Sequence, residues 1–174
     1  GARWSFFPFV LMEQMAANGL PNPWDGAADQ PVLPWRGRIT ASKAPGQSGS
    51  PDGTAQADAE VAAFFGTAMA ADFQVGADSV TYSGPSEWSY RRFILHYAAL
   101  CAAAGGVEAF CIGSEMRGLT QVRGATGFPA VQALKDLSQE VRSLVGPGVK
   151  PGYAAGLSAY FGDHPRDGSG GGVF

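Results

Sequence analysis

Residues Val107–Glu115, VEAFCIGSE, decide the fold. A strand that alternates apolar and polar residues covers one face of a sheet, whereas this near-continuous apolar run suits a parallel strand buried on both faces. Gly105-Gly106 precedes it and a charged residue closes it. Upstream, the spacing predicts a helix over Ser86–Ala104, apolar on several sides through Trp88, Phe93, Ile94, Tyr97, Leu100 and Cys101. Such a helix is expected to be covered on more than one face, with Trp88 and Tyr90 as packing residues at its start. The two glycines then form a left-handed cap. Downstream, Pro129 suits the first turn of another helix, whose Val131, Leu134, Leu137, Val141, Leu144 and Val145 keep the helical period until Gly146-Pro147 stops it. Val149–Ala155 reads as a further short strand.

Further out, Trp4–Met12, WSFFPFVLM, reads as a strand ending near Glu13, with Pro8 forcing an end, a bend or an edge because proline cannot donate to a ladder. Residues Ala16–Gly53 are rich in Pro, Gly, Asn and Asp, broken only by Pro34–Ile39, PWRGRI. Loops of that length are usually functional or disordered. Thr54–Ala71 carries Val61, Phe64, Phe65, Ala68 and Met69 at the spacing of one helix face. Val80–Tyr82 is a brief strand candidate and Tyr160–Gly172 a loop. Strand, long loop, helices, strand, helix, strand is the order of an α/β fold with a parallel sheet. The chain opens on an apolar run and closes on GSGGGVF just as apolar residues resume, so residues 1–174 are expected to be part of a larger domain.

With 174 residues, 45% of them hydrophobic, the chain has apolar material for one folded unit. Its net charge of −3 comes without a Lys/Arg cluster, which argues against nucleic acid as a partner. No run approaches the roughly 20 apolar residues of a membrane span, and the opening segment lacks the basic start and cleavage site of a signal peptide. Cys101 and Cys111 belong to no ligand pattern and read as buried small hydrophobes, so neither a metal nor a cofactor is expected. His96, mid-helix, reads as a core residue, and His164 beside Asp163 lacks a second ligand nearby. No nucleophile elbow, P-loop, dinucleotide fingerprint or H-E-x-x-H is present.

Glu115 is the residue to which chemistry points. A carboxylate at the mouth of an apolar strand loses hydration, which disfavours its charged form and suits a general acid. The bland reading pairs it with Arg117 or Arg123, or has it cap the following turn.

FCIGSEMRGLTQVR, with the preceding SEWSYRRFILHYAALCAAAGGVEA and the earlier PFVLM and PWRGRIT, resembles the TIM-barrel-like domain of gene transfer agent and phage-tail host-specificity proteins. The resemblance covers nearly the whole chain. It implies a partial (β/α)8 TIM barrel of about three central βα units, with WSFFPFVLM, VEAFCIGSE and VKPGYAA as its third, fourth and fifth strands, forming a single incomplete glycoside-hydrolase-like domain over residues 1–174. Such barrels carry their sites at the carboxyl ends of the strands. On this alignment Glu115 takes the catalytic acid/base position, and Trp35 and Arg36 fall on the loop after the third strand, where a tryptophan could stack on a sugar ring and an arginine donate to hydroxyls. Glu13, at a strand end, and Tyr153, on the fifth strand, complete the substrate-binding candidates. The bland alternative packs Trp35 under its own loop, with Arg36 in a surface ion pair.

Where family members tend to read YAADWSEY, this chain has YAAGLSAY, so Gly156, Leu157 and Ala159 stand for an acid, a tryptophan and a second acid. The second catalytic carboxylate would lie beyond Phe174. Glycoside hydrolysis in most families needs two carboxyl groups, about 5 Å apart for retention and roughly 6.5–9.5 Å for inversion. The implied function is a fragment of a tail-associated barrel acting on cell-surface or cell-wall polysaccharide, made in the bacterial cytoplasm and placed in a phage-like particle among other tail and baseplate proteins. The alternative is a catalytically silent glycan-binding or structural module of the same particle.

Overall fold

A computed structural model describes residues 3–156. In chain order the elements are β1 (Ser5–Phe6), α1 (Ala55–Phe65), β2 (Phe73–Val75), β3 (Val80–Tyr82), α2 (Tyr90–Ala103), β4 (Ala109–Ser114), α3 (Arg117–Thr120), α4 (Pro129–Val145) and β5 (Lys150–Ala154). Short 3₁₀ turns occupy Arg36–Arg38 and Ala70–Asp72. The described chain gathers into two compact units, one holding residues 3–9, 63–114 and 133–154, the other 10–62, 115–132 and 155–156.

The first unit is built on a parallel sheet in the order β1-β4-β5. Parallel neighbours need a crossover, and α4 supplies it between β4 and β5. The fold is thus mixed α/β with a parallel sheet and no closed barrel among the described residues, as expected of a partial barrel. β4 lies in the middle, with Phe110, Ile112, Gly113 and Ser114 buried. Its register against β5 slips between Cys111 and Gly113, which puts an irregularity just before the carboxyl end of the strand. Cys111 is only half-buried, because it alternates away from the side that buries Phe110 and Ile112.

β1 is shorter than its sequence suggests. Only Ser5–Phe6 pairs, and Pro8 ends the strand for want of an N–H; Phe9, Leu11 and Met15 beyond it are exposed. The Phe6 ring still anchors the edge, with its centroid 5.7 Å from Phe110 and 5.5 Å from Tyr97 of α2. β3 forms as expected, and it pairs with β2 as an antiparallel hairpin that the sequence did not announce.

α2 starts on Ser89, whose side chain accepts from the Arg92 N–H, and ends in the motif expected of Gly105-Gly106. The Gly106 N–H donates to Cys101 O and the Gly105 N–H to Ala102 O, with both glycines at φ above +90°. The helix buries Tyr90, Ile94, Leu95, Ala98, Ala99 and Cys101. This is one broad face rather than several. His96 and Leu100, one turn apart on the other side, are exposed, which corrects the reading of His96 as a core residue. Tyr90 does pack, and its hydroxyl donates to Ile112 O at 2.9 Å, tying the first turn of α2 to the carboxyl half of β4. Trp88 does not: it precedes the helix and is 96% exposed.

Just before that cap, Glu87 gathers donors. Ser89 Oγ at 2.6 Å holds its carboxyl down to about 2, desolvation opposes the shift, and the Ala68 and Thr67 N–H groups and the Thr67 hydroxyl add to it. A carboxylate depressed on folding contributes stability above its unfolded value of 4.5, and that stability is lost as pH falls toward 2. Thermal unfolding followed between those values should therefore show a steeper acid loss for the wild type than for Glu87→Gln. Parallel curves would remove Glu87 from the acid response.

The second unit is mostly the long segment 10–62, and it is ordered. The Gln14 N–H donates to Val32 O at 2.8 Å, and the Trp24 indole N–H to Arg38 O at 2.7 Å. Asp52 accepts from the backbone N–H, Nε and Nη2 of Arg123 at 2.7, 3.0 and 2.5 Å, and Asp58 accepts from the Ala125 N–H. Those bonds fasten the loop to the segment that follows Glu115. Among the described residues no helix is long and apolar enough to cross a membrane, and no group of His, Cys, Asp and Glu could hold a metal ion.

Candidate functional site

Glu115 directly follows Ser114, the last residue of β4, and two residues later α3 begins. Its backbone sits at φ +50°, a left-handed conformation that side chains disfavour by about 1–3 kcal/mol. A residue stays there only where its surroundings fix it. Met116 and Leu119 on the following turn are buried, which anchors the chain directly after Glu115.

The side chain meets two donors on one oxygen. Arg36 Nη2 lies 2.5 Å from Oε2, and the Trp35 indole N–H donates to the same atom at 3.2 Å. Oε1 accepts no hydrogen bond among the described residues. The Glu115 side chain keeps 32% of its surface exposed, so it is open to solvent, whereas Arg36 keeps 12%. An ion pair was the bland expectation for Glu115, but its partner is neither Arg117 nor Arg123. Arg36 supplies it, and Arg123 instead holds Asp52.

The turn that presents Trp35 and Arg36 is closed by the Arg38 N–H on Trp35 O at 2.8 Å and the Ile39 N–H on Arg36 O at 3.1 Å. The Trp35 ring lies over Gly37 so closely that a side chain there would collide with it, yet Trp35 remains 46% exposed. α3 approaches the same turn through Gly118, where an added Cβ would stand 2.7 Å from both Gly37 O and Ile39 O and 2.9 Å from the Trp24 ring. Backbone proximity at Gly118 thus sets the separation between the turn and the segment starting at Glu115.

Three of the sequence candidates, Trp35, Arg36 and Glu115, therefore come together across 79 positions of chain. The bonds that join these three involve neither Glu13 nor Tyr153. Glu13 is exposed and makes no hydrogen bond or ion pair among the described residues. Tyr153 is half-buried on β5, beside Gly113 in the first unit. Gly156 proves closer to the site than a binding-group vacancy would suggest, since a Cβ on it would lie 3.4 Å from Glu115 Cγ and 3.5 Å from Oε1. Leu157, Ala159, His164 and the 160–172 loop lie outside the described residues. Gly37 and Gly118 were missed by sequence reasoning. The W-R-G order hinted at the first, and nothing local marks the second.

Chemically, the cluster offers a half-open indole, a guanidinium and a carboxylate with one uncommitted oxygen, which together can stack on a ring and bond hydroxyls. No curated protein matches the chain. A family model described as the GTA TIM-barrel-like domain matches residues 88–174, which include α2, β4, Glu115 and β5. With half of its length so matched and its parallel sheet in place, the chain belongs to the gene transfer agent TIM-barrel-like domain family.

Proposed function

We propose that this domain binds cell-surface or cell-wall polysaccharide at the Trp35–Arg36–Glu115 cluster. In this reading Glu115 is the general acid/base of a glycoside-hydrolase-type reaction in the parent protein. The observation that supports it is the one-sided engagement of Glu115: Trp35 and Arg36 both hold Oε2, which leaves Oε1 without a partner among the described residues. In the same reading Trp35 holds the sugar by stacking and Arg36 by donation to hydroxyls. The second carboxyl group that the chemistry requires comes from a part of the barrel other than residues 3–156. The domain works in the tail of a phage-like particle, among other tail and baseplate proteins.

A second reading, a glycan-binding or structural module without catalysis, is favoured by the Arg36 ion pair itself. As long as that pair holds, Glu115 is an acceptor, and proton donation requires Arg36 to swing onto the substrate first. Gly156, bare beside Oε1, offers no carboxylate of its own.

Both readings need Trp35. Trp35→Ala is expected to weaken binding to isolated bacterial surface polysaccharide about tenfold, equivalent to roughly 1.4 kcal/mol, in a pull-down or titration. Unchanged binding would remove the cluster from glycan recognition.

A further inference from the structure

Trp88 is the most exposed large apolar side chain among the described residues, yet its ring has a stacking partner. The Arg92 guanidinium carbon lies 4.5 Å from the Trp88 ring centroid and 4.4 Å from that of Tyr82, so the cation is shared between the two rings. Arg92 Nη1 also donates to the Glu87 carbonyl oxygen at 2.5 Å. On either side of Trp88 the chain is fixed, by the donors on the Glu87 carboxylate and by Ser89 as the cap of α2. A tryptophan ordered from beneath by a cation, with its other surface in water, is a pre-organised platform. The contact biases the ring toward one orientation before a ligand settles on it.

We propose that Trp88 is a second saccharide-stacking site, taking one pyranose ring on its solvent face, with Arg92 available to sugar hydroxyls at its edge. The inference rests on the polysaccharide-binding reading and extends it to a residue outside the Glu115 cluster. The apolar C–H face of a pyranose matches one indole in size. Within residues 83–89, SGPSEWS, Trp88 is the only aromatic side chain, which offers a ligand one ring. A protein interface instead needs several hundred Å² of contiguous surface. Position agrees with this occupant: Trp88 stands at the start of α2, the end that Tyr90 ties to Ile112 near the carboxyl rim of the sheet, where parallel α/β folds bind ligands.

The test is a titration of the ¹⁵N-labelled full chain with three probes, the β-1,4-linked hexasaccharides of glucose, N-acetylglucosamine and mannose. The chain has four tryptophans, and the indole N–H signal of Trp88 is assigned by its loss in Trp88→Phe. The expected result is a saturable shift of that signal with at least one probe, an affinity reduced at least about tenfold in Trp88→Ala, and binding retained in Trp88→Phe. The three remaining indole signals report that the variants are folded. A Trp88 signal unmoved by all three probes overturns the proposal, as does equal affinity in Trp88→Ala. A shift that follows protein concentration rather than sugar also overturns it and assigns the ring to self-association. The Trp35 signal in the same spectra separates the two sites: movement of Trp88 alone keeps this one and removes the other, and movement of Trp35 alone does the reverse.

Discussion

Glu115→Gln is expected to lower polysaccharide hydrolysis by the full-length protein about 10²–10⁴-fold, the usual contribution of a positioned general acid/base. The amide keeps the size of the side chain and one acceptor oxygen, so Trp35 and Arg36 retain something to hold. What it cannot do is give and retrieve a proton. Binding of polysaccharide should therefore survive while turnover falls, a split that a purely structural role would not produce. Hydrolysis at the wild-type rate would end the acid/base assignment, and a full-length protein with no hydrolysis to lose would leave the silent binding module as the correct reading.

Gly118→Val should have the largest effect on the architecture of the site. The new side chain would meet two carbonyl oxygens of the Trp35–Ile39 turn and the Trp24 ring, all within 2.9 Å of its first carbon. Carbonyl groups fixed in a turn cannot rotate aside as a flexible side chain can, so the turn must move away. Overpacking of this kind costs about 1–3 kcal/mol, and here the displaced backbone is the one that carries Trp35 and Arg36. We expect a lower unfolding temperature and a loss of polysaccharide binding together, with Gly118→Ala showing a weaker form of both. Gly148→Ala, where an added Cβ meets nothing within 4 Å, serves as the control and should leave both unchanged. Normal binding by Gly118→Val would mean that the close approach does not position the turn.

The central strand and helices α2 and α4 were legible because their signals are local, whereas the helix read over Thr54–Ala71 stops at Phe65 and α3 was not foreseen. Apolar residues on both parities marked β4, and Gly105-Gly106 and Gly146-Pro147 marked the ends of α2 and α4. Less legible was which side of α2 is dry. Its aromatic and aliphatic residues are spread round the helix, and only contact with the sheet and the β2–β3 hairpin selects Ile94, Leu95, Ala98 and Ala99. Trp88 was misjudged for a related reason: a large apolar residue beside a helix is normally packed, and Arg92, on which it stacks, also faces Tyr82 in another element. Glu115 was proposed from its place after a buried strand, and Trp35 and Arg36 from family resemblance. That Arg36 is the ion-pair partner depends on how a long loop folds back through bonds such as Asp52–Arg123, which no periodicity encodes.

The left-handed backbone at residue 115 bears on how this domain can change. Glycine relieves that strain by having no side chain, and asparagine tolerates it better than glutamate does. Selection for thermal tolerance alone should therefore drift this position toward either, at the expense of the carboxylate. An acid kept there in descendants under such selection would be a record of pressure for chemistry or recognition rather than for folding.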